Sequence, residues 1–424
     1  VSPLSTEPAL VHTFRELWAE LSGIGRAPDG GYLRFAWSPA EVALRDWFRV
    51  QAARRGMPVT DDGNGNLFAV WSSTEGTSSG AAPAAGAAGG VLTGSHFDSV
   101  PHGGAFDGPL GIVSAFLAVD LLRERGFQPT RPITVAAFAE EEGSRFGVAC
   151  LGSRLLTGAI DPQRAAALTD RDGLSLGDVL GSVPAGARPD LVARFDAYVE
   201  LHVEQGRALA GPVGVASAIW PHGRWRFDVE GEGNHAGTTL MSDRRDPMLT
   251  YAFTVLAANK EARLRGAHAT VGRVEVTPNA TNAIPSAVRG WLDARAADDE
   301  TLAGLVEALA KKATERAGRD GTAIRFTAES TTGEVRFDAA LAESLATLLG
   351  GVPILPTGAG HDAGVLSAHL PTAMLFVRNP TGVSHAPAES ATDADCAEGV
   401  KALARVLEEL SARPLVDHGE GVAR

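Results

Sequence analysis

Cysteine is scarce: Cys150 and Cys396 stand far apart among 424 residues. The two could pair, but their number and separation predict buried, unreactive thiols in a reducing compartment. Long apolar runs are missing too, and none approaches the length of a bilayer span. Residues 1–10 carry neither a basic n-region nor an apolar h-region. These absences predict a cytoplasmic protein. Positive charge is in deficit, with a formal net charge of −13. Nucleic acid and anionic membrane would both repel such a surface, so neither is expected as a partner. A small anionic substrate stays compatible, because local arginines can invert the field inside one pocket.

The chain is too long for one simple core, and two domains are expected. Leu10–Leu21 and Pro39–Arg54 have helical periodicity, the second behind Ser38 as N-cap. Thr74–Gly90, rich in Gly, Ala and Ser, reads as a surface loop without chemistry. From Val91 the pattern becomes strand, glycine-rich loop, then a helix over Ile112–Leu122. Ile133–Phe138, Ala197–Leu201 and Ala373–Val377 are continuous apolar runs, suited to strands buried on both faces. Strands alternating with helices predict an α/β catalytic domain, a mixed and largely parallel sheet flanked by helices. Arg224–Glu230 and Ala269–Val276 alternate instead, and a helical stretch covers Asp299–Ala317. This middle part reads as a smaller inserted α+β domain, residues 214–329, with residues 1–213 and 330–424 forming the larger one.

Residues able to do chemistry fall where strands should end, the edge at which open α/β sheets gather ligands. Gly94-Ser95-His96-Phe97-Asp98 is followed by Gly103-Gly104-Ala105-Phe106-Asp107-Gly108. His96 offers an imidazole nitrogen, and Asp107 offers two oxygens that can bridge two cations. Glu140-Glu141-Glu142-Gly143 follows the apolar run Ile133–Phe138 directly. Two neighbouring carboxylates can divide the labour, one binding metal while the other takes a proton from water. His202 ends a further apolar stretch, and His385 stands in Gly382-Val383-Ser384-His385-Ala386-Pro387. His96, Asp107, Glu142, His202 and His385 are five N/O ligands without a thiolate, a set suited to paired Zn²⁺, Mn²⁺ or Co²⁺.

Taken in order, Gly94–Asp98, Gly103–Gly111, Glu140–Phe146, Glu200–Gly206, Asn234–Thr239, Pro278–Pro285, Gly358–Ala363 and Gly382–Glu389 carry a resemblance. The chain is similar to the M20-type metallopeptidase superfamily. Within it, the match is to the amidohydrolase branch of N-carbamoyl-L-amino acid hydrolases, allantoate amidohydrolases and β-ureidopropionases. The resemblance implies that Asp107 bridges two divalent metal ions. His96 with His202, and Glu142 with His385, would complete the two sites in some division. Glu141 would be general base and then general acid, with Glu140 a bystander. His235 would stabilise an oxyanion in the neighbouring subunit's active site, which implies a homodimer and a lid or dimerisation role for the inserted domain. Gln205, Arg224, Asn282 and Arg295 match positions that contact a small ureido carboxylate substrate. The expected reaction is hydrolysis of an N-carbamoyl-L-amino acid, with allantoate hydrolysis the nearest alternative. Leu240, and the run Trp220-Pro221-His222, depart from the family pattern near the pocket wall, which bears on substrate identity.

Overall fold

A computed structural model describes residues 3–4, 6–72 and 89–412. The loop expected over Thr74–Gly90 therefore lies outside the described residues, apart from Gly89 and Gly90, and Gly90 opens a strand. The chain divides into two compact units, Val1–Ser217 with Arg336–Arg424, and Ala218–Val335.

The first unit is built on a nine-stranded mixed sheet. Its centre is four parallel strands in the spatial order Ile133–Phe138, Gly90–His96, Phe195–Val203, Thr372–Val377. Leu67–Trp71 pairs antiparallel on one side and Val213–Ile219 on the other. The apolar runs explain the burial. Ile133–Phe138 and Thr372–Val377 are buried at every position, because both sheet faces are covered. One face packs the alternating residues Val91, Val135, Val199 and Leu375 against helices Glu7–Ser22, Pro39–Arg54, Pro109–Glu124 and Asp393–Ala412. Ser38 caps the second helix as expected, its side chain accepting from the Glu41 N–H. Cys150 and Cys396 are both free and buried.

Parallel register has a consequence for function. His96 sits opposite Phe138, and His202 opposite Phe376, so the carboxyl ends of all four strands lie along one edge. The loops that leave those ends carry the reactive side chains.

The second unit is a four-stranded antiparallel sheet in the order Ala323–Thr332, His222–Glu230, Ala287–Arg295, His268–Thr277. Alternation along these strands buries Phe227, Val229, Leu292 and Ala294 against two helices, Pro247–Arg265 and Asp299–Asp320. A short two-stranded piece pairs Asn234–His235 with Ala283–Ile284. Among the described residues, no helix is long and apolar enough to cross a membrane.

Candidate metal centre

Asp107 lies in the loop before helix Pro109–Glu124, and its two oxygens face different partners. Oδ1 is 3.4 Å from His96 Nε2 and 3.3 Å from His202 Nε2. Oδ2 is 3.3 Å from His385 Nε2, which is itself 3.6 Å from Glu142 Oε2. Two groups of three thus share one carboxylate, His96–Asp107–His202 and Asp107–Glu142–His385. Within each, the ligand atoms lie within 4.8 Å of one another.

The imidazoles are set for ligation. His96 Nδ1 is 3.0 Å from the Asp98 carbonyl, and His202 Nδ1 is 2.9 Å from the Val203 carbonyl. A carbonyl only accepts, so each Nδ1 donates and each Nε2 turns its lone pair toward Asp107. Buried His96 Nε2 has no hydrogen-bond partner. An orphaned, buried nitrogen among carboxylates fits a cation better than it fits an apolar core.

The electrostatics agree. Burial would lower the His96 pKa, but the Glu141 and Asp107 carboxylates overcome it and hold the ring well above its ordinary value. His385 is pushed up to about 9 by Asp107 and Glu142, against its burial. Burial would raise Asp107, but His202, His385 and His96 hold it well below the usual carboxylate range. Asp107 likewise raises His202 against its burial, and a field that draws protons onto these three rings would also draw divalent cations.

Glu141 and Glu142 leave the strand at Phe138 on a tightly held turn. Asp98 Oδ1 accepts from the Glu141 N–H at 3.1 Å, and Asp98 Oδ2 from the Glu142 N–H at 3.0 Å. Glu140 has a role the sequence left unassigned. Its buried Oε1 accepts from the N–H groups of Arg145 and Phe146, closing the turn from inside. Glu140 (φ 53°) and His385 (φ 58°) both occupy the left-handed region. That conformation costs about 1–3 kcal/mol at a non-glycine residue and concentrates at functional sites. Gly108 (φ 84°) is a spatial necessity, since a Cβ there would lie 2.5 Å from the His96 ring.

Gln205, expected to touch substrate, donates to Asp107 Oδ2 at 2.8 Å and lies 3.3 Å from His385 Nε2. The remaining predicted residues belong to the second unit and form two groups there. Exposed His235 has its Nδ1 accepting from the Gly237 N–H at 3.0 Å, and the neighbouring Ala236 N–H donates to the Asn282 carbonyl. Arg295 Nε is 3.0 Å from Asp293 Oδ1, and Arg224 Nε is 3.6 Å from Asp293 Oδ2, so one acid holds both arginines.

Sequence reasoning overlooked three buried groups behind the ligands. Asp98 organises the glutamate turn. Glu200 accepts from Ser95 Oγ and the Ala363 N–H, tying together segments next to His96 and His361. Glu389 accepts from the N–H groups of Phe106 and Asp107. Asp98 and Glu389 stood inside the recognised runs. Only folding shows that their partners are main-chain groups far away in sequence.

Parallel strands that deliver imidazoles and carboxylates to one edge define an α/β protein equipped to hold divalent cations. Residues 92–409 match peptidase family M20/M25/M40, and the chain belongs to that family. It is 37% identical to the N-carbamoyl-L-amino acid amidohydrolase of Geobacillus stearothermophilus, covering 92% of this chain and 96% of that one. It is 32% identical to the allantoate amidohydrolase of Escherichia coli strain K12, over 92% and 96% of the two chains. Among solved structures, a hydantoinase/carbamoylase family amidase from Burkholderia vietnamiensis superposes with a TM-score of 0.82. It shares 30% identity and covers 96% of this chain and 98% of that one.

Proposed function

We propose that this protein hydrolyses the ureido C–N bond of an N-carbamoyl-L-amino acid, giving the free amino acid, ammonia and CO₂. The observation that carries the reading is the single carboxylate of Asp107 shared by two ligand groups. His96 and His202 would hold one divalent ion and Glu142 and His385 the other, with Zn²⁺, Mn²⁺ and Co²⁺ as candidates. Such ions supply Lewis acidity to a carbonyl oxygen and acidify a water molecule.

Glu141 takes the proton from the attacking water and returns it to the leaving nitrogen. Its setting supports that role: burial and the nearby Glu142, Asp362 and Asp98 carboxylates raise its proton affinity well above the ordinary value. His235 stabilises the oxyanion. Arg224, Asn282 and Arg295 hold the substrate carboxylate through charged and neutral donors, and Gln205 completes the contacts.

The protein acts as a homodimer through the lid and dimerisation domain expected over residues 214–329, which corresponds to the second unit, Ala218–Val335. Two features of the second unit support it. Leu249, Leu256 and Leu264 are exposed along one stripe of helix Pro247–Arg265, and strand His268–Thr277 stands at an open sheet edge. An active species of monomer mass by light scattering would remove that part of the reading. Two free buried thiols fit a cytoplasmic location.

Allantoate is the second candidate substrate, on the strength of the Escherichia coli relative. A panel of N-carbamoyl amino acids, allantoate, N-acyl amino acids and dipeptides, run with each of the three metals, tests the proposal. Turnover confined to N-acyl amino acids or dipeptides would refute ureido cleavage.

A further inference from the structure

The bridging residue Asp107 belongs to no helix or strand, yet its two oxygens must each stay aimed at a separate ligand group. Something has to hold its backbone still. Glu389 is placed to do so. One oxygen, Oε1, accepts from the Phe106 N–H at 2.8 Å and from the Asp107 N–H at 3.0 Å. The residue is 5% exposed, so these hydrogen bonds meet little competition from water.

Two further observations show that the seat is built. A Cβ on Gly104 would lie 2.2 Å from the Glu389 carboxyl carbon, so the carboxyl rests directly on the backbone of this loop. Glu389 also closes the turn that begins beside His385, its own N–H donating to the Ala386 carbonyl at 3.0 Å. One side chain therefore ties the His385 turn to the Asp107 loop, and those two segments supply ligands to the same group of three.

We infer that Glu389 is a positioning residue of the metal centre, fixing the Asp107 loop and the His385 turn at the separation that divalent ions require. The inference rests on the proposed metal-centre reading and goes beyond it by assigning cation affinity to a residue that is not a ligand. Outer partners of this kind typically govern metal affinity by about 10–100-fold.

The test is cation affinity, measured by calorimetric titration of chelator-stripped protein with Mn²⁺ and by Zn²⁺ competition with a chromophoric chelator. Glu389→Ala removes the one oxygen that accepts from both N–H groups and is expected to weaken binding by about 10–100-fold. Glu389→Gln keeps an oxygen for both N–H groups and is expected to stay near wild type. Gly104→Ala pushes the Glu389 side chain from its seat, so it should weaken binding in the wild-type background and add little to Glu389→Ala. A residue that served stability alone would lower the melting midpoint and leave cation affinity unchanged.

Wild-type affinity in folded Glu389→Ala overturns the inference and leaves the metal-centre reading standing. Should Glu389→Ala not fold, wild-type affinity in Gly104→Ala overturns it instead. Equal losses in Glu389→Gln and Glu389→Ala overturn it as well, since charge rather than hydrogen-bond geometry would then be responsible. Wild-type protein that binds no divalent cation overturns both.

Discussion

Glu141 and Glu142 follow one another in the chain, yet their carboxylates meet different neighbours. Glu142 Oε2 lies 3.6 Å from His385 and belongs to a ligand group, while Glu141 Oε2 lies 3.6 Å from His96 and belongs to neither. Glu141→Gln preserves shape and removes the proton acceptor. We expect bound metal, counted by elemental analysis, to stay at wild-type level while kcat falls by about 10²–10⁴-fold. Near-normal kcat would remove Glu141 from the mechanism. Asp98 is the other decisive residue, because its two oxygens accept from the Glu141 and Glu142 N–H groups. Asp98→Ala strands one buried and one partly buried donor and should cost about 1–3 kcal/mol for the buried one, less for the other, in urea denaturation. Asp98→Asn keeps one acceptor oxygen and should recover part of that loss.

At the scale of elements, the second unit joins its two helices through a buried acid. Glu261 on helix Pro247–Arg265 is paired with Lys312 on helix Asp299–Asp320 and with Arg265 one turn along its own helix. The Lys312 hydrogen bond, reinforced by Arg265 and opposed by burial, lowers the Glu261 pKa. Its folded value lies below its unfolded one, so the stabilisation is complete above the unfolded value, about 4.3. It is lost as pH falls through the folded value. Glu261→Gln should therefore lower the urea midpoint of this unit at pH 7, and the gap to wild type should close toward pH 3. A gap that is constant from pH 7 to pH 3 would show that the pair contributes through packing alone.

For the whole molecule, the first unit is discontinuous: the chain leaves it after Ser217 and returns at Arg336. His385 comes from the returning segment, while His96, Asp107, Glu142 and His202 come from the first. Bound cations would cross-link segments nearly 300 positions apart, His96 and His385 at the extremes. Ligand linkage then predicts that removing metal by chelation lowers the melting midpoint. The loss corresponds to about 2.7 kcal/mol relative to free cation at 100 times its Kd. Calorimetry before chelation, after it, and after adding Mn²⁺, Zn²⁺ or Co²⁺ measures this, with turnover expected to fall and return in step. Identical scans in all three states would mean that no cation binds selectively to the folded chain.

Hydrophobic periodicity determined much on its own. Period-two alternation marked two of the four strands in the larger sheet of the second unit, and continuous apolar runs marked those buried on both faces of the central sheet. The Ser38 cap placed a helix start to the residue, since that signal is local and needs no tertiary partner. His96 and His202 stood out at the ends of apolar runs and Glu142 just after one, while Asp107 and His385 were singled out within glycine-containing loops. Local spacing leaves open how they group around Asp107: a grouping was implied only by the family resemblance, and the folded chain places the side chains within reach of one another. Tertiary structure also assigned Asp98, Glu140, Glu200 and Glu389 their tasks. Those carboxylates bind backbone N–H groups, and every residue but proline offers the same N–H. No side-chain pattern can reveal which one a carboxylate will meet. Only the folded path of the chain selects it.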